Sequence, residues 1–186
     1  VPLLVTGGIH LDGFMDTTDA RSSYGNREKK LAILKDSHVG AFAVQGCGLL
    51  LLLTFGLWCQ AERTDGGLWA ALLLVPVLSR GLSAFAALTL PNARGGGLLA
   101  AVTGERRRGR WLPLCGALLC AAGLAVLKPG YLWIGGAALL ALWYYEKTAK
   151  REFGGTTGDL AGWFLQLCEL ACLVGLVLAQ SLEGVQ

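Results

Sequence analysis

The chain has 186 residues, of which 54% are hydrophobic and only 16% carry a charged side chain, with a formal net charge of +3. A soluble domain usually carries charge on about a quarter of its residues, so this composition argues against an ordinary soluble globular protein. We therefore expect a single membrane-embedded domain over residues 1–186.

The N-terminal segment Val1–Ile9 is apolar but too short to cross a bilayer. It also lacks the basic region and the cleavage site of a signal peptide. We interpret it as the end of a truncated helix, and we expect further membrane-spanning sequence to precede it.

An aspartate-rich motif follows, and Gly7–Arg21 reads GGIHLDGFMDTTDAR. Asp12, Asp16 and Asp19 are spaced i, i+4 and i+7, so a helix places their carboxylates on one face. Like charges at this spacing repel each other unless a cation neutralises them, and such oxygen ligands suit Mg²⁺. A solvated acidic face is the alternative, but Gly, Thr and apolar residues surround the stripe. The motif therefore predicts a Mg²⁺ site, with His10 as a candidate base, phosphate donor or packing residue.

The segment Arg27–Ala43, REKKLAILKDSHVGAFA, links this motif to the first long apolar run. Its apolar residues favour a short amphipathic helix on the surface. After that helix, Lys35 and Ser37 are candidates to hold phosphate oxygens, and Asp36 is a candidate fourth carboxylate. The alternative is a helix end whose lysine only sets the membrane topology.

Five apolar segments approach the roughly 20 residues that a membrane-spanning helix needs. They are Val39–Gln60, Leu68–Leu90, Trp111–Leu127, Tyr131–Tyr145 and Leu160–Leu182. The fourth is short and requires flanking residues or a thin bilayer. The predicted fold is an all-α, polytopic transmembrane helical bundle of about five full spans with cytoplasmic amphipathic helices.

Basic residues alternate along the connecting loops, because the first, third and fifth loops are rich in Lys and Arg and the others are poor. The positive-inside rule places the rich loops, and with them the aspartate motif, in the cytoplasm. In the third loop, Arg94 is a candidate phosphate ligand. Arg106–Arg110 set the topology or help to hold a phosphate-bearing substrate.

Two ionisable residues lie inside predicted spans, where such residues are costly and usually functional. Arg80 and Glu169 each lie about ten residues from the cytoplasmic end of their span, which corresponds to a depth of roughly 15 Å. Their matching depth and opposite charge predict an ion pair. Alternatively, Arg80 reaches a substrate phosphate.

The last motif, FGGTTGD, precedes the final span. Gly154, Gly155 and Thr156 are candidates to bind an anion, because a glycine-rich turn exposes backbone N–H groups near a helix N-terminus. Asp159 is predicted to cap that helix and to contribute to substrate binding.

Together, GGIHLDGFMDTTDA, KDSHVGAFA, the Ser79-Arg80 pair and GGTTGD resemble the cobalamin synthase family, also called adenosylcobinamide-GDP ribazoletransferase. The resemblance follows nearly the whole chain in order. The chain departs from it at Ala20, where many members have Gly, and at His38, where they often have Arg.

The resemblance implies a reaction that joins adenosylcobinamide-GDP to α-ribazole or to α-ribazole 5′-phosphate. The products are adenosylcobalamin or its 5′-phosphate, together with GMP, in the last step of nucleotide-loop assembly. The resemblance also implies Mg²⁺ as the cofactor and a multi-pass transferase of the cell (inner) membrane whose active site faces the cytoplasm. It leaves open a homo-oligomer or an association with other cobalamin-assembly enzymes, and no nucleic-acid partner is expected.

From the residues alone, two other classes of protein stay open. The first is a CDP-alcohol phosphotransferase or a prenyltransferase, although the remaining parts of their motifs are not found. The second is a transporter or membrane scaffold, which would more often carry its acidic cluster near the bilayer midplane.

Overall fold

The computed structural model describes residues 5–61, 67–96, 109 and 111–183. These residues form seven α-helices, which are α1 (Ile9–Ser22), α2 (Arg27–Ile33), α3 (Ala41–Gln60), α4 (Gly67–Thr89), α5 (Trp111–Leu127), α6 (Leu132–Thr148) and α7 (Gly158–Glu183). A 3-10 turn, Pro129–Tyr131, joins α5 to α6, and a π-helical turn, Ala149–Phe153, extends α6. The aspartate motif is helical, as predicted, and the amphipathic helix is present as α2.

The described helices confirm an all-α membrane bundle. Three of them are long and apolar enough to cross a membrane: Ala41–Gln60, Leu72–Thr89 and Gly158–Leu182. Helix α5 is apolar but has only 17 residues, and α6 has the same length. All five predicted segments are therefore largely helical, whereas full crossing by α5 and α6 stays a prediction.

Helix α7 lies at the centre of the bundle, since 56% of its apolar window is buried compared with 11% for α3. Phe164 is fully buried, and its ring centroid lies 4.8 Å from that of Tyr145 on α6. Burial of one such aromatic side chain contributes about 1.5–3 kcal/mol. The beginning of α7, which includes the last two residues of the GGTTGD motif, packs between α1 and α6.

Helix α1 begins where the chain needs glycine. Gly7 and Gly8 have φ angles of +61° and +81°, a left-handed conformation that favours glycine. Farther along, α1 crosses α7 closely, because a Cβ atom on Gly13 would lie 2.7 Å from the Asp159 carbonyl oxygen. A Cβ atom on Gly162 of α7 would lie 3.1 Å from the His10 carbonyl oxygen. Small residues thus bring the aspartate helix directly against the beginning of α7.

Replacing Gly13 with Ala should destabilise the protein by about 1–3 kcal/mol, because the added methyl group meets backbone atoms that cannot rotate away. Thermal unfolding in detergent micelles measures this loss. Gly48→Ala on α3 is the matched control, since a Cβ atom there meets nothing within 4 Å. Equal midpoints for the two variants would contradict the close crossing of α1 and α7.

A charged network ties the ends of α1, α2 and α6 together. Glu152, in the π-helical turn, accepts hydrogen bonds from Arg21 at 3.0 and 3.1 Å and from Lys30 at 2.6 Å. Arg21 also donates to the Tyr144 hydroxyl at 2.9 Å and lies over the ring of Trp163. Glu152 therefore joins α1, α2 and the end of α6.

This network should make stability depend on acid pH. Burial alone would raise the pKa of Glu152, but hydrogen bonds from Lys30 and Arg21 outweigh burial and hold that pKa below its ordinary value. The carboxylate therefore stabilises the fold above the pKa of the unfolded chain, about 4.3, and this contribution is lost as pH falls through the folded-state pKa. Glu152→Gln should lower the Tm at pH 7 and lower it much less near the acid limit.

Glu146→Gln is the control for this experiment, because Glu146 forms an exposed i, i+4 pair with Lys150. Such surface pairs contribute little to stability. A Tm difference between the wild type and Glu152→Gln that is the same at all pH values would contradict the role of the Glu152 carboxylate.

Candidate active site

A cavity of about 380 Å³ opens between α1, the loop after α4 and the beginning of α7. It brings together four of the residues predicted from the sequence, namely His10, Asp12, Arg94 and Asp159. Its wall also contains three polar or small residues that were not among the predicted site residues: Asn92, Thr157 and Gly158. The short sequences Asn92–Arg94 and Thr157–Asp159 contain no pattern that predicts contact between the two loops that carry them.

A backbone bridge joins the two loops of this cavity. The Ala93 N–H donates to the Thr156 carbonyl at 3.0 Å, and the Thr156 N–H donates to the Pro91 carbonyl at 2.8 Å. Gly155 permits this approach, since a Cβ atom there would overlap the Pro91 carbonyl oxygen. The glycine-rich turn therefore holds the Arg94 loop against the beginning of α7.

Thr156 lies in the interior, where its hydroxyl is 2.5 Å from the hydroxyl of Tyr145. Gly154 adopts φ +72°, and the guanidinium of Arg27 covers its Cα. In the structure, Gly154, Gly155 and Thr156 therefore fix the shape of the glycine-rich turn. The prediction that Gly154, Gly155 and Thr156 contact substrate stays a prediction.

The cap of α7 differs from the prediction. The Thr157 hydroxyl accepts the N–H of Leu160 at 3.2 Å, so Thr157 caps the helix and the prediction that Asp159 does so is wrong. The physical reason is register: α7 begins at Gly158, so Asp159 falls inside the first turn. Its side chain is thereby available to face Arg94.

Arg94 and Asp159 form an ion pair in the cavity wall, with Nη2 and Oδ2 2.7 Å apart. The same Nη2 donates a hydrogen bond to the Leu34 carbonyl at 2.8 Å, so it is poorly directed at the carboxylate. As a result, Asp159 Oδ2 and Arg94 Nε are buried atoms without a hydrogen-bond partner among the described residues. Each can serve a ligand, the first as an acceptor and the second as a donor.

Asp16 shows the excess of negative charge on α1. Burial, together with the charges of Asp12, Asp159 and Asp19, raises its pKa to about 6, although the charge of Arg94 opposes this rise. The described residues nevertheless contain no group of three or more His, Cys, Asp or Glu side chains arranged to hold a metal ion. The Mg²⁺ site of Asp12, Asp16 and Asp19 stays a prediction.

Asp19 points towards the N-terminus of α3. Its Oδ2 accepts the N–H of Gly40 at 2.5 Å, and its Oδ1 accepts the N–H of Ala43 at 2.9 Å. Asp19 does not line the cavity.

The turn Lys35–His38 also lies outside the cavity wall. Asp36 Oδ1 accepts the His38 N–H at 3.1 Å and lies 2.6 Å from His38 Nδ1. This hydrogen bond lowers the pKa of Asp36 and raises that of His38, and both side chains are exposed. Asp36 thus faces His38, and the roles predicted for Lys35, Asp36 and Ser37 stay predictions.

The ion pair predicted within the membrane is confirmed. Arg80 Nη1 donates to Glu169 Oε1 at 2.7 Å, and the Ser79 hydroxyl donates to the same oxygen at 3.2 Å. Arg80 is absent from the wall of the cavity, so its contact with a substrate phosphate stays a prediction. The prediction for Arg106–Arg110 falls outside the described residues, apart from residue 109.

Comparison with known proteins supports the resemblance. A family model described as cobalamin-5-phosphate synthase matches residues 1–177. The chain is 38% identical over 184 residues to an adenosylcobinamide-GDP ribazoletransferase of Lachnoclostridium phytofermentans, covering 97% of this chain and 69% of that protein. It is 43% identical over 182 residues to the protein of the same name from Pseudomonas entomophila, covering 95% and 71%. No solved structure matches.

The family match includes α1, both cavity loops and most of α7, and hence every residue that lines the cavity. The chain therefore belongs to the cobalamin-5-phosphate synthase family.

Proposed function

We propose that this chain transfers the adenosylcobinamide-phosphate group of adenosylcobinamide-GDP to α-ribazole or α-ribazole 5′-phosphate and releases GMP. The observation that carries the proposal is the cavity wall, where the buried Arg94 Nε and Asp159 Oδ2 lack hydrogen-bond partners among the described residues. A diphosphate substrate can use both atoms, since its oxygens accept from Arg94 and its counter-cation binds a carboxylate. Relatives that carry the name adenosylcobinamide-GDP ribazoletransferase support the choice of substrates.

The reaction requires a ribose hydroxyl to attack a phosphorus atom of the diphosphate and to displace GMP. Catalysis of such a transfer consists mainly of positioning and charge neutralisation. Arg94 supplies a donor for a phosphate oxygen, and charge-assisted hydrogen bonds of this kind are strong. The first residues of α7 also lie in the cavity wall, where a helix N-terminus favours an anion.

The cofactor in this proposal is Mg²⁺, although the described residues contain no ready-made group of three ligands for it. The donor set consists of hard carboxylate oxygens, and one of them, Asp159 Oδ2, is buried without a hydrogen-bond partner in the described part of the chain. The raised pKa of Asp16, which burial and the neighbouring carboxylates cause, supports the presence of a cation in this region. Asp12 and Asp16 of α1, with Asp159 across the cavity, would hold the ion. When bound, Mg²⁺ supplies charge neutralisation at the diphosphate.

His10 is the candidate that accepts the proton of the attacking hydroxyl. It lines the cavity, and burial, followed by the charge of Arg80, lowers its pKa. A lowered pKa keeps the imidazole neutral at neutral pH, so a ring nitrogen is free to take a proton. His10 therefore combines access to the cavity with the protonation state that a base requires.

The active site faces the cytoplasm in this proposal. The support is the basic segment between α1 and α3, which contains four Lys and Arg residues, compared with one in the loop after α3. A multi-pass protein in the cell membrane would then meet its nucleotide substrates directly from the cytoplasm. Association with itself or with other cobalamin-assembly enzymes remains part of the proposal.

The test is turnover by the protein in lipid nanodiscs with labelled adenosylcobinamide-GDP, α-ribazole and Mg²⁺. We expect the corrinoid product and GMP in equal amounts. CDP-alcohol and polyprenyl diphosphate substrates serve as the competing assays. Product from either of these, with none from adenosylcobinamide-GDP, would overturn the proposal.

A further inference from the structure

The exposed segment 35–39 is attached at its beginning to Arg94, which lines the cavity, and at its end to Asp19. At its beginning, the Leu34 carbonyl accepts a hydrogen bond from Arg94 at 2.8 Å. At its end, the Gly40 N–H donates to Asp19 at 2.5 Å. A short segment whose two ends are held in this way has few conformations, although most of its side chains are exposed.

The contact of Asp19 with α3 is a helix-terminus contact made from another helix. Its two carboxylate oxygens accept the N–H groups of Gly40 and Ala43, in the first turn of α3. Such N–H groups have no partner within their own helix, and the helix dipole favours a negative charge beside them. Both effects direct Asp19 towards α3.

The neighbouring residues are shaped for this contact. A Cβ atom on Gly40 would overlap the Asp19 carboxylate, so Gly40 gives the carboxylate its space. One turn farther along α3, a Cβ atom on Gly46 would lie 2.8 Å from Cγ2 of Thr18, the residue before Asp19. The close packing of α1 on α3 therefore extends beyond a single hydrogen bond.

We propose that Asp19 is a positioning residue, which fixes the N-terminus of α3 and thereby holds Lys35 and Ser37 beside the cavity for the phosphate groups of the substrate. In this assignment Asp19 acts through the backbone of segment 35–39, whereas Asp12, in the cavity wall, faces the cation. Only the substrate part of the inference rests on the proposed function. The anchoring of α3 rests on geometry alone.

Two substitutions break this contact in different ways. Asp19→Ala removes the carboxylate, and Gly40→Ala displaces it without changing any charge. Because a lost pair of charge-assisted hydrogen bonds corresponds to about a tenfold effect or more, we expect both variants to raise the KM for adenosylcobinamide-GDP about tenfold. We expect kcat and the Mg²⁺ concentration for half-maximal rate to stay close to the wild-type values.

Asp19→Asn should lie between the wild type and Asp19→Ala, because the amide keeps one acceptor and turns an NH₂ group towards a donor. Gly48→Ala is the control, since it adds the same methyl group to α3 where nothing lies within 4 Å. If the Asp19 variants instead raise the Mg²⁺ requirement while Gly40→Ala does not, Asp19 is a metal ligand and the proposal is overturned.

Hydrogen exchange of segment 34–43, measured by mass spectrometry in nanodiscs, tests the anchor without any turnover. Exchange at the amides of Gly40 and Ala43 should be faster in Asp19→Ala and Gly40→Ala and unchanged in Gly48→Ala. Unchanged exchange in Asp19→Ala would overturn the anchoring role even in an active enzyme. Conversely, an inactive wild type would overturn the proposed function, whereas hydrogen exchange would still test whether Asp19 anchors α3.

Discussion

Asp12→Asn should reduce kcat by about 100-fold or more, which corresponds to about 2.7 kcal/mol of transition-state stabilisation. Asp12 lines the cavity, and its negative charge contributes to the raised pKa of Asp16. The amide has nearly the same shape as the carboxylate but lacks the charge that attracts a cation. Because the substitution also relieves repulsion, the Tm should stay equal to that of the wild type or rise slightly.

Steady-state turnover, a Mg²⁺ titration and thermal unfolding of the same preparation measure these three effects. We expect the Mg²⁺ concentration for half-maximal rate to increase in Asp12→Asn. Glu28→Gln is the matched control, since Glu28 is exposed in the first turn of α2. Full turnover in Asp12→Asn would exclude Asp12 from the chemistry and with it the assignment of the cavity as the active site.

Arg94→Met should lower kcat/KM for adenosylcobinamide-GDP by about 100-fold, and it should also destabilise the protein. The guanidinium makes two contacts in the structure, with the Leu34 carbonyl and with Asp159, and its Nε is available for the substrate. Methionine fills a similar space without any donor. It leaves a partly buried Asp159 carboxylate without its counter-charge, and such losses are costly.

Arg94→Lys separates charge from geometry. Lysine keeps the positive charge but lacks the planar fork of donors, so it should recover only part of the lost kcat/KM. Arg151→Met provides the control at an exposed arginine of the π-helical turn. Activity of Arg94→Met within a few-fold of the wild type would show that Arg94 only connects loops.

Family membership distinguishes an enzyme from the transporter or scaffold that the residues alone had left open. A transporter or scaffold requires no cavity with an unpaired arginine donor beside acidic residues. In the described structure, such a cavity lies where the aspartate helix meets the beginning of α7. Relatives that carry the name adenosylcobinamide-GDP ribazoletransferase also favour an enzyme over a transporter or scaffold.

The sequence predicted the structure correctly where the pattern was local or depended on the depth of a residue in the membrane. The spacing of Asp12, Asp16 and Asp19 predicted α1, and apolar runs predicted the long helices. Arg80 and Glu169 were paired correctly, because a charge at bilayer depth requires a partner and only matching depths allow one. Each of these inferences used either the helical period or the thickness of the membrane.

The sequence did not predict contacts that depend on how distant segments of the chain pack. Arg21 and Lys30 bind Glu152, which lies more than 120 positions later in the chain. Thr157, and not Asp159, caps α7, because the helix begins two residues earlier than a cap at Asp159 would require. No local pattern encodes such shifts or such separations.

The sequence by itself determined that this protein is a helical membrane protein with an acidic helix at its surface, because hydropathy and helical spacing act over a few turns of chain. Only the tertiary structure decided that Asp19 faces the N-terminus of α3 while Asp12 and Asp159 face the cavity. The physical reason is that carboxylates on one helical stripe are chemically equivalent until neighbouring helices supply different partners. For Asp19 these partners are the backbone N–H groups of α3, whereas Asp12 on the same stripe lines the cavity.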